Sequence, residues 1–369
     1  MRITTPHMGT VEWLLRDLFE RLDVEYTPPP QTTQKTLKLG LQHSPEFACL
    51  PLKLTVGNLI EGLDAGADAT MMVGGCGPCR FGYYADIQRR IIEGLGYDYD
   101  AIILEPPSQD FRAFLATIRR VAPHASYWRI WRAFQISFRK GQAFDRIERA
   151  TLETRCFETE RHATAAVRTR AYELVSAAKS PVEIVSAEKA ALQLFADMPK
   201  RDIEPLRIAL VGEFFLLLEP FINFDIEVYL GERGVLVARS VYLTDWIGPS
   251  RKNPVAGHSD AYVADAASPY LDYRVGGEGQ ATIGHTMIAK EEGYDGMIQL
   301  VPFTCMPDTI AKAILPAVSS AEDMPVLTLI VDEQTGKAGV HTRLEAFLDL
   351  LVSRKRARAT AATPARATA

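Results

Sequence analysis

The sequence predicts an α/β protein: two parallel-sheet domains joined by a helical segment. Three observations predict it. Short apolar runs alternate with helical segments over residues 1–110 and again over 205–352, the rhythm of a parallel sheet covered by helices. Residues 111–204 instead carry long charged helical patterns, such as AFDRIERATLETRCFETERHATAAVRTRAYELVSAAK, with few strand signals. A length of 369 residues exceeds one typical domain and suffices for two cores.

Taken in order, RITTP reads as a strand, TVEWLLRDLFERLD as a helix with apolar residues at helical spacing, and EYT as a strand stopped by PPP. After a loop containing Cys49, LTVGNLIEGLDAGA reads as a helix, ATMMVGG as a buried strand, FGYYADIQRRIIEGLG as a helix closed by Gly96, and AIILEPP as a strand stopped by two prolines. The second domain repeats the rhythm without repeating the sequence. Strand LRIALVGEFF is followed by helix DIEVYLGERG, strand VLVARSVYL, strand GMIQLVPF, helix PDTIAKAILPAV, strand PVLTLIV and helix TRLEAFLDLLVSRK. The tail 353–369 is rich in Ala, Thr and Arg without apolar periodicity and reads as disordered.

Apolar residues make up 47% and charged residues 24%, and the formal charge of −5 gives no basic footprint for nucleic acid. The N-terminus lacks the basic and apolar pattern of a secretory signal. The most apolar stretch, IALVGEFFLLLEPFI, is interrupted by Glu213 and Glu219 and falls short of the roughly 20 residues of a spanning helix. The expectation is a cytoplasmic protein without a membrane segment, in which paired structural disulfides are disfavoured.

Four of the five cysteines share a context. Cys49 in SPEFACLPLK, Cys76 and Cys79 in GGCGPCRFG, and Cys305 in VPFTCMPD lie in loops rich in Gly or Pro; Cys76 and Cys79 stand at the carboxyl end of a strand where a helix begins, and Cys305 just beyond a strand and immediately before a helix. The carboxyl ends of strands in open α/β sheets are where ligands bind, and helix N-termini there favour negative charge. Cys156, in a charged helix, reads as a half-buried packing residue. A thioredoxin-like dithiol leaves Cys49 and Cys305 unexplained, and a structural zinc usually draws on two close pairs. Four thiolates are the usual complement of one iron-sulfur cluster, and a four-iron four-sulfur cluster held between the domains fits best.

Other residues stand as candidates beside plainer readings. The glycines of YRVGGEGQATIGHT suit a phosphate or a close crossing as well as a tight loop. Glu278 and His285 in that stretch are candidates for proton transfer beside a bound substrate. Arg80 and Lys53 adjoin cysteine loops, where they would balance thiolate charge or hold a phosphate, with a solvated position as the plain alternative. Trp128 and Trp131, three apart on a helix, read as core packing. The chain has no GxxxxGK[ST], so any ATP hydrolysis by a P-loop falls to a partner.

Taken together, EFACLPLK, GGCGPCRFGYY, DGMIQLVPFTCMPD and MPVLTLIVDEQTGKAGVHTRLEAFLDLL resemble the 2-hydroxyacyl-CoA dehydratase superfamily, in particular its branch of CoA-protein activase-related, dehydratase-like iron-sulfur proteins. The resemblance implies two flavodoxin-like domains carrying a single 4Fe-4S cluster on Cys49, Cys76, Cys79 and Cys305. It also implies reduction by a separate ATP-hydrolysing activase and low-potential one-electron transfer to the carbonyl of an acyl-CoA thioester. The ketyl radical so formed loses its hydroxyl group in the dehydratases. A second dehydratase-like subunit or a dimer is the implied assembly, with neither nucleic acid nor membrane as partner. The alternative from another class is a non-catalytic assembly or regulatory protein stabilised by zinc or a cluster.

Overall fold

The computed structural model describes residues 1–75, 79–107, 110–247 and 259–362. The first domain contains β1 (Arg2–Thr4), α1 (Val11–Leu22), β2 (Glu25–Tyr26), α2 (Gln34–His43), α3 (Leu50–Asp64), β3 (Ala69–Val73), α4 (Tyr84–Gly94) and β4 (Asp100–Leu104). Helices α5 (Phe111–Val121), α6 (Tyr127–Arg155), α7 (Ala163–Ala177) and α8 (Pro181–Ala196) follow without an intervening strand. The second domain begins with β5 (Leu206–Gly212), short helices α9 (Phe214–Leu218), α10 (Pro220–Asn223) and α11 (Ile226–Glu232), and β6 (Val235–Arg239). It continues through α12 (Leu243–Ile247), α13 (Asp260–Ala267), α14 (Gly279–Glu291), β7 (Gly296–Pro302), α15 (Met306–Ala321), β8 (Val326–Val331) and α16 (Lys337–Ala362).

Both sheets are four-stranded and wholly parallel, with orders β2-β1-β3-β4 and β6-β5-β7-β8. This is the flavodoxin-like arrangement, used twice. In each, the chain steps to one side of the first strand and then crosses to the other, so a crevice opens at the carboxyl ends of β1 and β3, and of β5 and β7. The loops of Cys79 and Cys305 follow β3 and β7, the equivalent strands of the two domains, and Cys49 lies between α2 and α3.

The domains share buried surface. Leu37, Leu50 and Leu54 of the first domain belong to the same apolar cluster as Ile208, Phe214, Leu300 and Phe347 of the second. His7, after β1, meets Glu219, after α9, at 2.7 Å. Burial alone would lower the His7 pKa, but the hydrogen bond and charge of Glu219 outweigh it and raise the pKa above its ordinary value.

Helix α2 has no strong apolar periodicity, but local chemistry starts it. Thr33 Oγ1 accepts from the Lys35 N–H at 3.2 Å, and Thr36 Oγ1 accepts from the Thr33 N–H at 3.0 Å, a reciprocal cap. It crosses α3 closely, since a Cβ on Gly40 would lie 1.7 Å from the Lys53 carbonyl oxygen. Helix α3 begins at Leu50, earlier than its pattern suggests, with Pro51 in the first turn and Cys49 as the N-cap.

Three expectations are corrected. The stretch 353–362 is helical, as the last turns of α16. Arg354 and Arg358, one turn apart, both bind Asp323, and Lys355 Nζ lies 2.7 Å from Glu204, so good helix formers gain tertiary anchors. Residues 363–369 lie outside the described residues.

Trp128 and Trp131 are exposed, at 64% and 53%, and stack on each other with centroids 4.9 Å apart. The buried face of α6 is instead Ala133, Ile136, Ser137 and Lys140. The reason is Asp17, buried on α1: it accepts from Ser137 Oγ at 2.7 Å and Lys140 Nζ at 2.6 Å, so the helix turns its polar groups inward.

Lys53 is buried and pairs with Glu333 across the domains at 3.0 Å, so it is neither solvated nor beside an open phosphate site.

Candidate functional site

The two crevices face each other across a cleft of about 420 Å³ whose lining includes Cys79, Cys305, Glu213, Glu278, His285 and Asp308. Both domains contribute to it. Each described cysteine of the expected set caps a helical turn: Cys49 precedes α3, Cys79 precedes the 3-10 turn Arg80–Tyr83, and Cys305 precedes α15. None of the three accepts a capping hydrogen bond from the backbone of its own helix through its side chain.

Arg80 holds the three loops together. Its guanidinium donates to the Phe47 carbonyl oxygen at 3.2 Å and to the Thr304 carbonyl oxygen, two residues before Cys49 and one before Cys305. Thr304 Oγ1 also donates to the Phe47 carbonyl, at 3.3 Å. Thr304 has a φ of +68°, a left-handed conformation a β-branched residue rarely adopts, and this contact helps hold it there. Arg80 therefore acts through backbone carbonyls of neighbouring loops, a role its sequence position does not reveal.

Cys49 Sγ and Tyr84 Oη lie 2.6 Å apart in a buried hydrogen bond. Cys305 Sγ donates to Asp308 Oδ2 at 3.2 Å. Burial raises the pKa of all three thiols, and carboxylates add to it: Glu213 beside Cys49 and Cys79, Asp308 and Glu213 beside Cys305. Cys76 lies outside the described residues. Among the described residues no group of three or more His, Cys, Asp or Glu side chains could hold a metal ion, so Cys49, Cys79 and Cys305 do not by themselves form a closed ligand set. Cys156 is fully buried at the end of α6, its Sγ 3.8 Å from the Glu153 carbonyl oxygen, and serves packing.

Glu278 caps α14 and His285 lies two turns along it; both are largely buried and line the cleft. Sequence reasoning missed further carboxyl groups there, Glu213, Asp245 and Asp308 among them. Glu213 directly follows β5, accepting from the Leu216 N–H at 3.0 Å, and burial, with the Asp308 and Glu278 carboxylates, pushes its pKa up to about 8. Burial likewise pushes Asp308 up to about 7, and Asp245 on α12 up to about 7. A single acid inside an apolar run, as in LVGEFFLLL, was the signal for Glu213.

These shifts make a pH prediction. A carboxyl that holds its proton up to about pH 8 when folded, and only to its ordinary pKa of 4.5 when unfolded, stabilises the fold fully below 4.5. That contribution is lost as pH rises through 8. Replacing Glu213 by Gln removes the loss, so E213Q should gain on the natural protein between pH 5 and 8. The expected gain is on the order of 2 kcal/mol after allowance for water in the cleft, read from urea midpoints at each pH. Parallel curves would mean that Glu213 is ionised throughout.

Among the described residues no helix is long and apolar enough to cross a membrane. A scan against protein-family models finds no match for this chain, and a search of curated proteins finds none either.

Proposed function

We propose that this chain is a cytoplasmic iron-sulfur protein of low-potential, one-electron transfer, resembling components of 2-hydroxyacyl-CoA dehydratases. In this reading Cys49, Cys76, Cys79 and Cys305 hold one 4Fe-4S cluster, a separate ATP-hydrolysing activase reduces it, and an acyl-CoA thioester is the electron's destination. The observation that carries the reading is the tie made by Arg80 between loops 33 and 224 residues away in sequence, which gathers three cysteine loops at the facing crevices of two sheets.

The bound cluster would supply a reversible one-electron couple. The chain's own groups would do the rest. Helix N-termini behind Cys49 and Cys305 favour the negative charge of thiolates. Soft sulfur donors suit iron and sulfide in kind. Glu278 and His285, on one helix of the cleft, would exchange protons with a bound substrate. The sequence carries no GxxxxGK[ST], in keeping with nucleotide hydrolysis by a separate activase.

The test is the metal and acid-labile sulfide content of protein made and purified without oxygen. About four irons and four sulfides per chain are expected for one cluster. One zinc and no sulfide would instead make GGCGPCRFG a structural clasp and favour the assembly or regulatory protein. Turnover of an acyl-CoA in the presence of activase and ATP separates an enzyme from a carrier.

A further inference from the structure

The Cys49 sulfur has a hydrogen-bond partner that comes from a second cysteine loop. Tyr84 Oη lies 2.6 Å from Cys49 Sγ, the two residues are 35 positions apart in the chain, and both are buried, at 4% and 8% exposure. Tyr84 opens α4, directly after the turn that begins at Cys79. One loop thus supplies a cysteine of the expected set and also a phenol for the sulfur of another.

Two further contacts fix that reach. Gln88, one turn along α4 from Tyr84, donates from Nε2 to Thr55 Oγ1 of α3 at 2.8 Å, and both residues are buried, so a second bond on the same helix face sets how α4 lies on α3. The Tyr84 ring packs on Phe81 with centroids 5.2 Å apart and shares an apolar cluster with Leu52, Val56 and Ile92. Packing and the Gln88 bond therefore hold the hydroxyl on the sulfur in advance.

A phenol keeps its proton at neutral pH and donates through it. A thiolate that holds iron can still accept a hydrogen bond, and such a bond favours the reduced cluster, which carries one more negative charge, over the oxidised one. We propose that Tyr84 raises the reduction potential of the cluster on Cys49, acting through the sulfur and not on the substrate, and so sets how strong a reductant the activase must be. The proposal rests on the reading of Cys49 as a cluster ligand and adds a residue to which that reading gives no part. The electron comes from the activase and the proton stays on Tyr84 Oη, so the bond changes the equilibrium of reduction and not its stoichiometry.

The test is an anaerobic redox titration of the full-length natural protein and of Tyr84→Phe, followed by the electron-resonance signal of the reduced cluster, with iron and acid-labile sulfide measured in each sample. Tyr84→Phe keeps the ring and should keep about four irons and four sulfides per chain. Its equilibrium constant for reduction should fall roughly threefold or more, as the loss of one charge-assisted hydrogen bond requires. Tyr26→Phe is the control, since its hydroxyl bonds Thr5 Oγ1 at 2.9 Å in the same domain, and the constant should change by less than that. A constant that rises or falls by less in Tyr84→Phe, an equal fall in Tyr26→Phe, or loss of iron from Tyr84→Phe alone would overturn the proposal. Natural protein without iron and sulfide sinks the cluster reading and this inference with it, whereas full iron in both proteins with an unchanged constant sinks this inference alone.

Discussion

Cys305→Ala is expected to remove most of the iron and sulfide from anaerobically purified protein, from about four of each per chain to fewer than one. The residue ends the loop after β7, and its thiol points to Asp308 at the head of α15. In the proposed ligand set, loss of one of four thiolates would open the site where the second domain contributes Cys305. The fold should survive, because alanine keeps the backbone and removes one buried sulfur, a change costing roughly 1–2 kcal/mol. Circular dichroism before metal analysis separates loss of cluster from loss of fold. Cys156→Ala is the matched control: it also removes a buried sulfur, at the far end of α6, and should leave iron unchanged. Iron content and spectrum unaltered in Cys305→Ala would show that the ligand set is wrong.

Gly212→Ala should destabilise the protein by about 4 kcal/mol or more, among the largest effects of any single substitution. Gly212 closes β5 with a φ of +124°, and a Cβ there would lie 2.0 Å from the Leu300 carbonyl oxygen on β7. Both the conformation and the space exclude a side chain. The obstruction is backbone of a central strand, which cannot step aside as a flexible side chain can. Because Glu213 follows directly and its N–H donates to Leu300 O at 3.1 Å, the distortion enters the cleft itself. Gly339→Ala, in α16 with no atom within 4 Å of the added carbon, should instead be neutral or stabilising by up to ~1 kcal/mol. Urea midpoints of the two variants give the comparison, and equal midpoints would mean that the β5–β7 contact yields more readily than its geometry implies.

Legibility differed by the range of the interaction involved. Strands such as ATMMVGG and GMIQLVPF announce themselves because alternation with helical segments is a local pattern, and their parallel order follows from the connections. The placement of Cys79 and Cys305 at helix starts was legible for the same reason. The exposure of Trp128 and Trp131 was not, because it depends on Asp17, more than a hundred residues away, drawing Ser137 and Lys140 inward. Nor was the burial of Lys53, whose partner Glu333 lies in the other domain.

By itself, then, the sequence determined the class of fold, the two-sheet rhythm and the ends of strands at which Cys79 and Cys305 stand, all set by residues within a few positions of one another. Only the tertiary structure decided that Arg80 binds the loops of Cys49 and Cys305, that Glu213 and Asp308 hold protons into the neutral range, and that Phe81 of the first domain packs against Phe214 and Trp246 of the second. Each of these depends on the distance between groups remote in the chain and on the water excluded when the two domains close on each other, and neither quantity is written in local spacing.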